Sequence, residues 1–161
     1  MISRLYTLKK WTVYAVVIYL LLALQLIVLQ QLPLFGTIIW LPPVIVGAYV
    51  SFEKDPFIPA IIGTFADVYL RSGLLFTILF PVAALLALRY WHGENRIVKA
   101  AVVSAACSLL GQVLFGVIML WAPGHTDITS FAARMPLELV LSLMSLIFVY
   151  PVFKLVRGKH V

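Results

Sequence analysis

The sequence predicts an all-α fold: a polytopic membrane helix bundle of about six transmembrane helices, helix 3 short, with both termini on the cytoplasmic side. Three observations predict it. Apolar runs of membrane-spanning length follow one another from Trp11 to Val156, and the charges collect in the short gaps between them. Hydrophobic residues make up 63% of the chain and charged residues 11%, whereas ordinary soluble domains carry roughly 45–50% and about 25%. The 161 residues contain no polar segment longer than a loop, which leaves a single membrane domain over 1–161 and no room for a separate catalytic domain.

A hydrocarbon core of ~30 Å takes about 17–25 residues of helix, and that ruler sets the spans. Helix 1 covers 11–32 and ends at Gln30-Gln31-Leu32-Pro33. A positive flank with Arg4, Lys9 and Lys10 precedes it, as in a signal peptide. The run is too long for one, however, and Gln25 to Pro33 offers no small-residue cleavage site, so a retained helix is expected. Helix 2 covers 34–52, with Pro42 and Pro43 inside it. Adjacent prolines remove two backbone donors, so this span is expected to bend or break near Trp40–Pro43. Helix 3, over 57–70, has fourteen residues and rises only ~21 Å. It is either a thin crossing, with Arg71 snorkelling outward, or a re-entrant segment. Helices 4, 5 and 6 cover 73–90, 97–121 and 135–156.

The net charge of +6 is spread over helix ends and does not form a basic patch with interleaved aromatics, which argues against nucleic acid. It fits orientation in a bilayer. With six crossings and the N-terminus inside, Arg4, Lys9, Lys10, Lys54, Arg89, Arg96, Lys99, Lys154, Arg157 and Lys159 share the inner side. Arg71 and Arg134 alone fall outside. A re-entrant helix 3 would move Arg89, Arg96 and Lys99 across, so the charge pattern favours a full crossing.

Ionisable residues within a span are costly and mark candidate sites. Asp67 and Arg71 stand one turn apart in helix 3, in the acid-then-base order that favours pairing. Arg134 and Glu138 stand one turn apart in helix 6. The four either form a cross-helix cluster that fixes helix 3 to helix 6 or binds a ligand, or they are two local pairs. Ala100, Ser104, Ser108 and Gly111, with Cys107 beside them, form a small-residue stripe on helix 5. Such a face admits another backbone closely, whether a partner protein's helix or a neighbour within the bundle. Gln25 and Gln112 are expected to hydrogen-bond across helices. Trp11, Trp91 and Trp121 lie near span ends as an aromatic belt, with Trp40 the exception.

Enzymatic chemistry is not expected. His125 and Asp127 lack a third metal ligand, Cys107 is the single cysteine, and nucleophile–base pairs, phosphate-binding loops and paired acidic motifs are missing. No cofactor or metal is anticipated.

Two stretches resemble the rod-shape-determining protein MreD family of the bacterial cell-wall elongation machinery. Ala60-Ile-Ile-Gly63-Thr-Phe-Ala-Asp67-Val-Tyr-Leu-Arg-Ser72-Gly73-Leu-Leu is similar to that family's glycine, three residues, aspartate and small-residue turn. Leu146-Ile-Phe-Val-Tyr150-Pro151-Val-Phe-Lys-Leu-Val-Arg157 resembles its ending: an apolar helix, a Tyr-Pro step and a basic tail. Gly73 follows Asp67 sooner than in the family, and Pro56 and Pro59 replace its glycine-rich approach. The resemblance implies a non-enzymatic inner-membrane protein associated with the bitopic protein MreC, linking cytoplasmic filaments to peptidoglycan synthesis. Gly63, Asp67, Tyr150 and Pro151 carry over as family positions. The alternative is the substrate-binding S component of an energy-coupling-factor vitamin transporter, with Asp67, Arg71, Glu138 and Arg134 lining the pocket. S components resemble one another in an Ala-xxx-Ala docking pair on helix 1. Here Ala15 is followed by Tyr19, which argues against that docking.

Overall fold

A computed structural model describes residues 2–29, 39–91, 93–121 and 128–158. They form six α-helices and, among the described residues, no strand. The helices are α1 (Ile2–Leu24, continued as a π-helical turn, Gln25–Leu29), α2 (Pro42–Phe52), α3 (Phe57–Leu70), α4 (Leu75–Tyr90), α5 (Arg96–Trp121) and α6 (Ile128–Gly158). The all-α expectation holds. Two stretches, Arg96–Ile118 and Ala132–Arg157, are long and apolar enough to cross a membrane; the other apolar helices are shorter.

Helix α2 is the hub. Pro42 and Pro43 occupy its first turn, where the missing N–H groups cost nothing. Residues 39–41 are not helical and α2 begins at the paired prolines, while residues 34–38 of the expected span lie outside the described residues. Every residue from Pro42 to Ser51 is buried, because α1, α3, α4, α5 and α6 all pack on this one eleven-residue helix. It runs antiparallel to α5: Phe52 lies by Arg96, and Gly47 lies against Ala100 and Ser104. A Cβ at Gly47 would overlap the Ser104 hydroxyl and crowd the Ala100 carbonyl, so the two backbones meet there without an intervening side chain.

Two helices outrun the expected spans. Helix α1 starts at Ile2 rather than near Trp11, and α6 runs from Ile128 to Gly158 rather than over 135–156. Hydropathy marks the part of a helix that suits lipid, but a helix continues through charged residues as long as its backbone bonds are made. Pro136, Pro81 and Pro151 all lie inside helices. Pro151 thus removes one backbone bond without ending α6, which continues to Gly158.

Aromatic packing closes one end of the bundle. Tyr14 of α1 stands edge-on to Tyr49 of α2, with centroids 5.6 Å apart, and stacks on Phe153 of α6. The Tyr14 hydroxyl donates to Glu53 at 2.9 Å and the Tyr49 hydroxyl to Asp55 at 3.3 Å. Asp55 also accepts from the Phe57 and Ile58 N–H groups, capping α3. The guanidinium groups of Arg96 and Arg157 both lie over the Phe52 ring, 5.8 and 5.9 Å from its centroid. Arg96 and Arg157, two of the ten basic residues expected on the inner side, therefore meet at this end.

Candidate functional site

The turn between α3 and α4 contains the residues the sequence singles out most strongly. Helix α3 ends at Arg71, whose backbone is left-handed (φ 53°), and Gly73 is left-handed as well (φ 76°). A Cβ at Gly73 would meet nothing within 4 Å, so glycine is required there by conformation and not by space. Gly63 is required for the opposite reason. A Cβ on it would collide with the Phe76 carbonyl and crowd the Thr77 backbone, so α3 lies directly on the first turn of α4.

One turn beyond Gly63, the Asp67 carboxylate reaches the open start of α4. Its Oδ1 accepts from the Ser72 hydroxyl (2.6 Å) and the Phe76 N–H (2.9 Å). Its Oδ2 accepts from the Thr77 N–H and the Thr77 hydroxyl, both at 2.7 Å. The first N–H groups of any helix lack internal partners and favour negative charge. Leu74, which precedes α4, supplies no side-chain cap, so Asp67 caps α4 from a neighbouring helix. Thr77 extends the network to Thr64 and through it to the Ala60 carbonyl. The glycine-xxx-aspartate spacing thus has a local physical meaning: the glycine brings two helices into contact, and the aspartate satisfies the helix end exposed by that contact.

This geometry corrects the expected Asp67–Arg71 pair. Asp67 is 4% exposed with both oxygens engaged, and Arg71 is exposed with no ion pair to it among the described residues. The four-residue cluster is not assembled either. Helices α3 and α6 do not touch among the described residues, and Glu138 is bonded elsewhere, to Gln112 Nε2 at 3.2 Å. Arg134 is exposed, one turn before Glu138 and within Coulombic reach of it. The vitamin pocket drawn from those four residues loses its geometric basis with the cluster.

The stripe on α5 is an internal face. Ala100, Ser104, Cys107 and Ser108 are 0–1% exposed. Gly47 covers the stripe near Ala100 and Ser104, and the Phe76 ring covers it at Gly111. No surface remains there for a partner helix, which corrects the partner-binding option. Tyr150 packs its ring on Phe52 at 5.1 Å, and Pro151 is exposed on α6.

Gln25 does bond across helices as expected, and its partner is informative. Its Oε1 accepts the Leu41 N–H at 2.8 Å, while Ser142 Oγ accepts the Trp40 N–H at 3.2 Å. Both backbone donors freed by the interruption before α2 are satisfied by side chains from α1 and α6. The Trp40 ring stands edge-on to Phe76, 4.9 Å away, which explains why it lies apart from the belt. Sequence reasoning missed Ser142, Thr77 and the Tyr14–Glu53 and Tyr49–Asp55 pairs. The available signals were the hydroxyl residues following Asp67 and the two acids of the Glu53-Lys54-Asp55-Pro56 turn. His125 and Asp127 lie outside the described residues. Among the described residues, no group of three or more His, Cys, Asp or Glu side chains is placed to hold a metal. No protein-family model matches the chain, and no curated protein or solved structure does either.

Proposed function

We propose that this chain is a non-enzymatic, multi-span protein of the bacterial cytoplasmic membrane that acts as a scaffold in the cell-wall elongation machinery. In this reading the chain crosses the bilayer six times with both termini inside, α2 being a broken crossing and α3 a thin one. Its partner is an MreC-like bitopic protein. The resemblance of residues 60–75 and 146–157 to the MreD family is the reason for naming this machinery.

The observation that carries the reading is the use to which the family-like residues are put. Gly63 and Asp67 lock a helical hairpin, and the four bonds to Asp67 leave its carboxylate no lone pair directed at a ligand. A carboxylate engaged in this way supports shape, which is what a scaffold needs, rather than recognition of a vitamin. The gathering of Lys54, Arg96, Lys99 and Arg157 about the Phe52 end supports the inside assignment of that end.

Capture of the tagged chain from native membranes in mild detergent tests the proposal. The expected result is co-recovery of a single-span protein with a large periplasmic part and of wall-synthesis proteins, reduced by Asp67→Ala and unchanged by Arg134→Ala. Recovery of ATPase subunits or a tightly bound vitamin would overturn it.

A further inference from the structure

A groove of about 260 Å³ runs between α4 and α5 on the outside of the bundle. Leu79, Ala83 and Ala87 line it from α4, and Val102, Ala106 and Leu110 line it from α5. These positions recur every three to four residues on both helices, so the groove follows the helix axes. Small side chains at Ala83, Ala87 and Ala106 make its floor. Tyr90 and Trp91 line it where α4 ends. From Leu79 to Tyr90 the helix rises ~16 Å, about half of a ~30 Å hydrocarbon core and therefore one leaflet deep.

Cations stand at the Tyr90 end. The Arg89 guanidinium lies over the Tyr90 ring at 5.6 Å. Arg96 and Lys99 occupy the first turn of α5, and Lys99 sits one turn before Val102 and Val103 on the groove side. That turn contains no acidic residue. Cations at the positive end of a helix are unfavourable, and the Lys54 ammonium adds like-charge repulsion to Lys99. Glu94, in the connecting turn, is exposed and pairs with none of them.

We propose that this groove binds one acyl chain of an anionic glycerophospholipid of the inner leaflet, with the headgroup phosphate held by Arg89 and Lys99. The inference rests on the membrane-spanning reading and not on the cell-wall assignment. An apolar slot one leaflet deep, opening on cations that pair with no carboxylate among the described residues, at the interfacial level of a tryptophan, matches the two halves of such a lipid. A neutral lipid would fill the slot and leave the repulsion in place. A free phosphate would relieve the repulsion and leave the slot unused.

The test begins with alkaline carbonate washing of membranes, which reads insertion separately. The inserted full chain is then purified in neutral detergent, equilibrated with equal phosphatidylglycerol and phosphatidylcholine, and examined by native mass spectrometry. The expected result is one retained phosphatidylglycerol, with the preference over phosphatidylcholine falling about fivefold for each of Arg89→Gln and Lys99→Gln. The double variant Ala83→Leu/Ala106→Leu is expected to retain neither lipid. Should that variant fail to fold, the two helix-end variants decide the matter alone. Equal retention of both lipids, competition by free glycerol phosphate as effective as by the lipid, or loss of a bound protein on filling the groove would each overturn the proposal. Copurification of wall-synthesis partners is unaffected by those outcomes, so the two readings fail separately.

Discussion

Removing the Asp67 carboxylate should open the α3–α4 hairpin at a calculable cost. Two backbone donors, the N–H groups of Phe76 and Thr77, depend on it, together with the Ser72 and Thr77 hydroxyls. The hydroxyls can rotate to other acceptors, and Thr77 already has Thr64 at 3.2 Å. The N–H groups cannot. A buried donor left unpaired costs about 1–3 kcal/mol, so Asp67→Ala is expected to lose about 2–6 kcal/mol in all. Asp67→Asn keeps one acceptor and turns an amide toward the remaining donors, which places its loss at about 1–3 kcal/mol. The assay is reversible unfolding of the purified chain from mild detergent into SDS, followed by tryptophan fluorescence, since Trp40 packs on Phe76 beside the cap. Arg71→Ala serves as the control and is expected to change little, because the side chain is exposed. A loss below about 0.5 kcal/mol for Asp67→Ala, or an equal loss for Arg71→Ala, would refute the capping argument and restore an ion pair.

Three further outcomes follow from neighbouring geometry, each read by the same unfolding assay. Gly47→Ala should cost about 1–3 kcal/mol, because its Cβ would push α2 away from Ser104 and Ala100; a neutral result would mean the two helices are not in backbone contact. Ser104→Ala and Ser108→Ala should be neutral or stabilising, since both hydroxyls are buried with no hydrogen-bond partner among the described residues, and a clear loss in either would reveal a bond to its hydroxyl. Gln25→Leu should cost about 1–3 kcal/mol by orphaning the Leu41 N–H, and unchanged stability would show that another group caps the break before α2.

The order and number of helices were legible because apolar length and breakers are local properties. Pro42-Pro43 marked the interruption before α2, and the fourteen-residue run before Arg71 marked a short α3. Helix ends were less legible: α1 and α6 outrun their apolar stretches because a helical backbone satisfies itself regardless of the solvent outside it. The sequence marked Gly63 and Asp67, which meet the first turn of α4, but it did not mark the partner of Asp67. Spacing of four residues pointed along the same helix to Arg71, whereas the left-handed turn at Arg71 and Gly73 folds the open end of α4 back onto the carboxylate. Likewise the stripe on α5 was visible, while its covering by Gly47 and Phe76 depends on contacts between distant segments that no local pattern records. The two tyrosine–carboxylate pairs at the basic end were illegible for the same reason.

Depletion of this chain in growing cells, with labelled peptidoglycan precursor followed along the side wall, tests the scaffold claim most directly. The account predicts that lateral incorporation falls on depletion, and that it is restored by the wild-type chain and by Arg134→Ala but poorly by Asp67→Ala. Unchanged wall incorporation accompanied by a loss of vitamin uptake would contradict it.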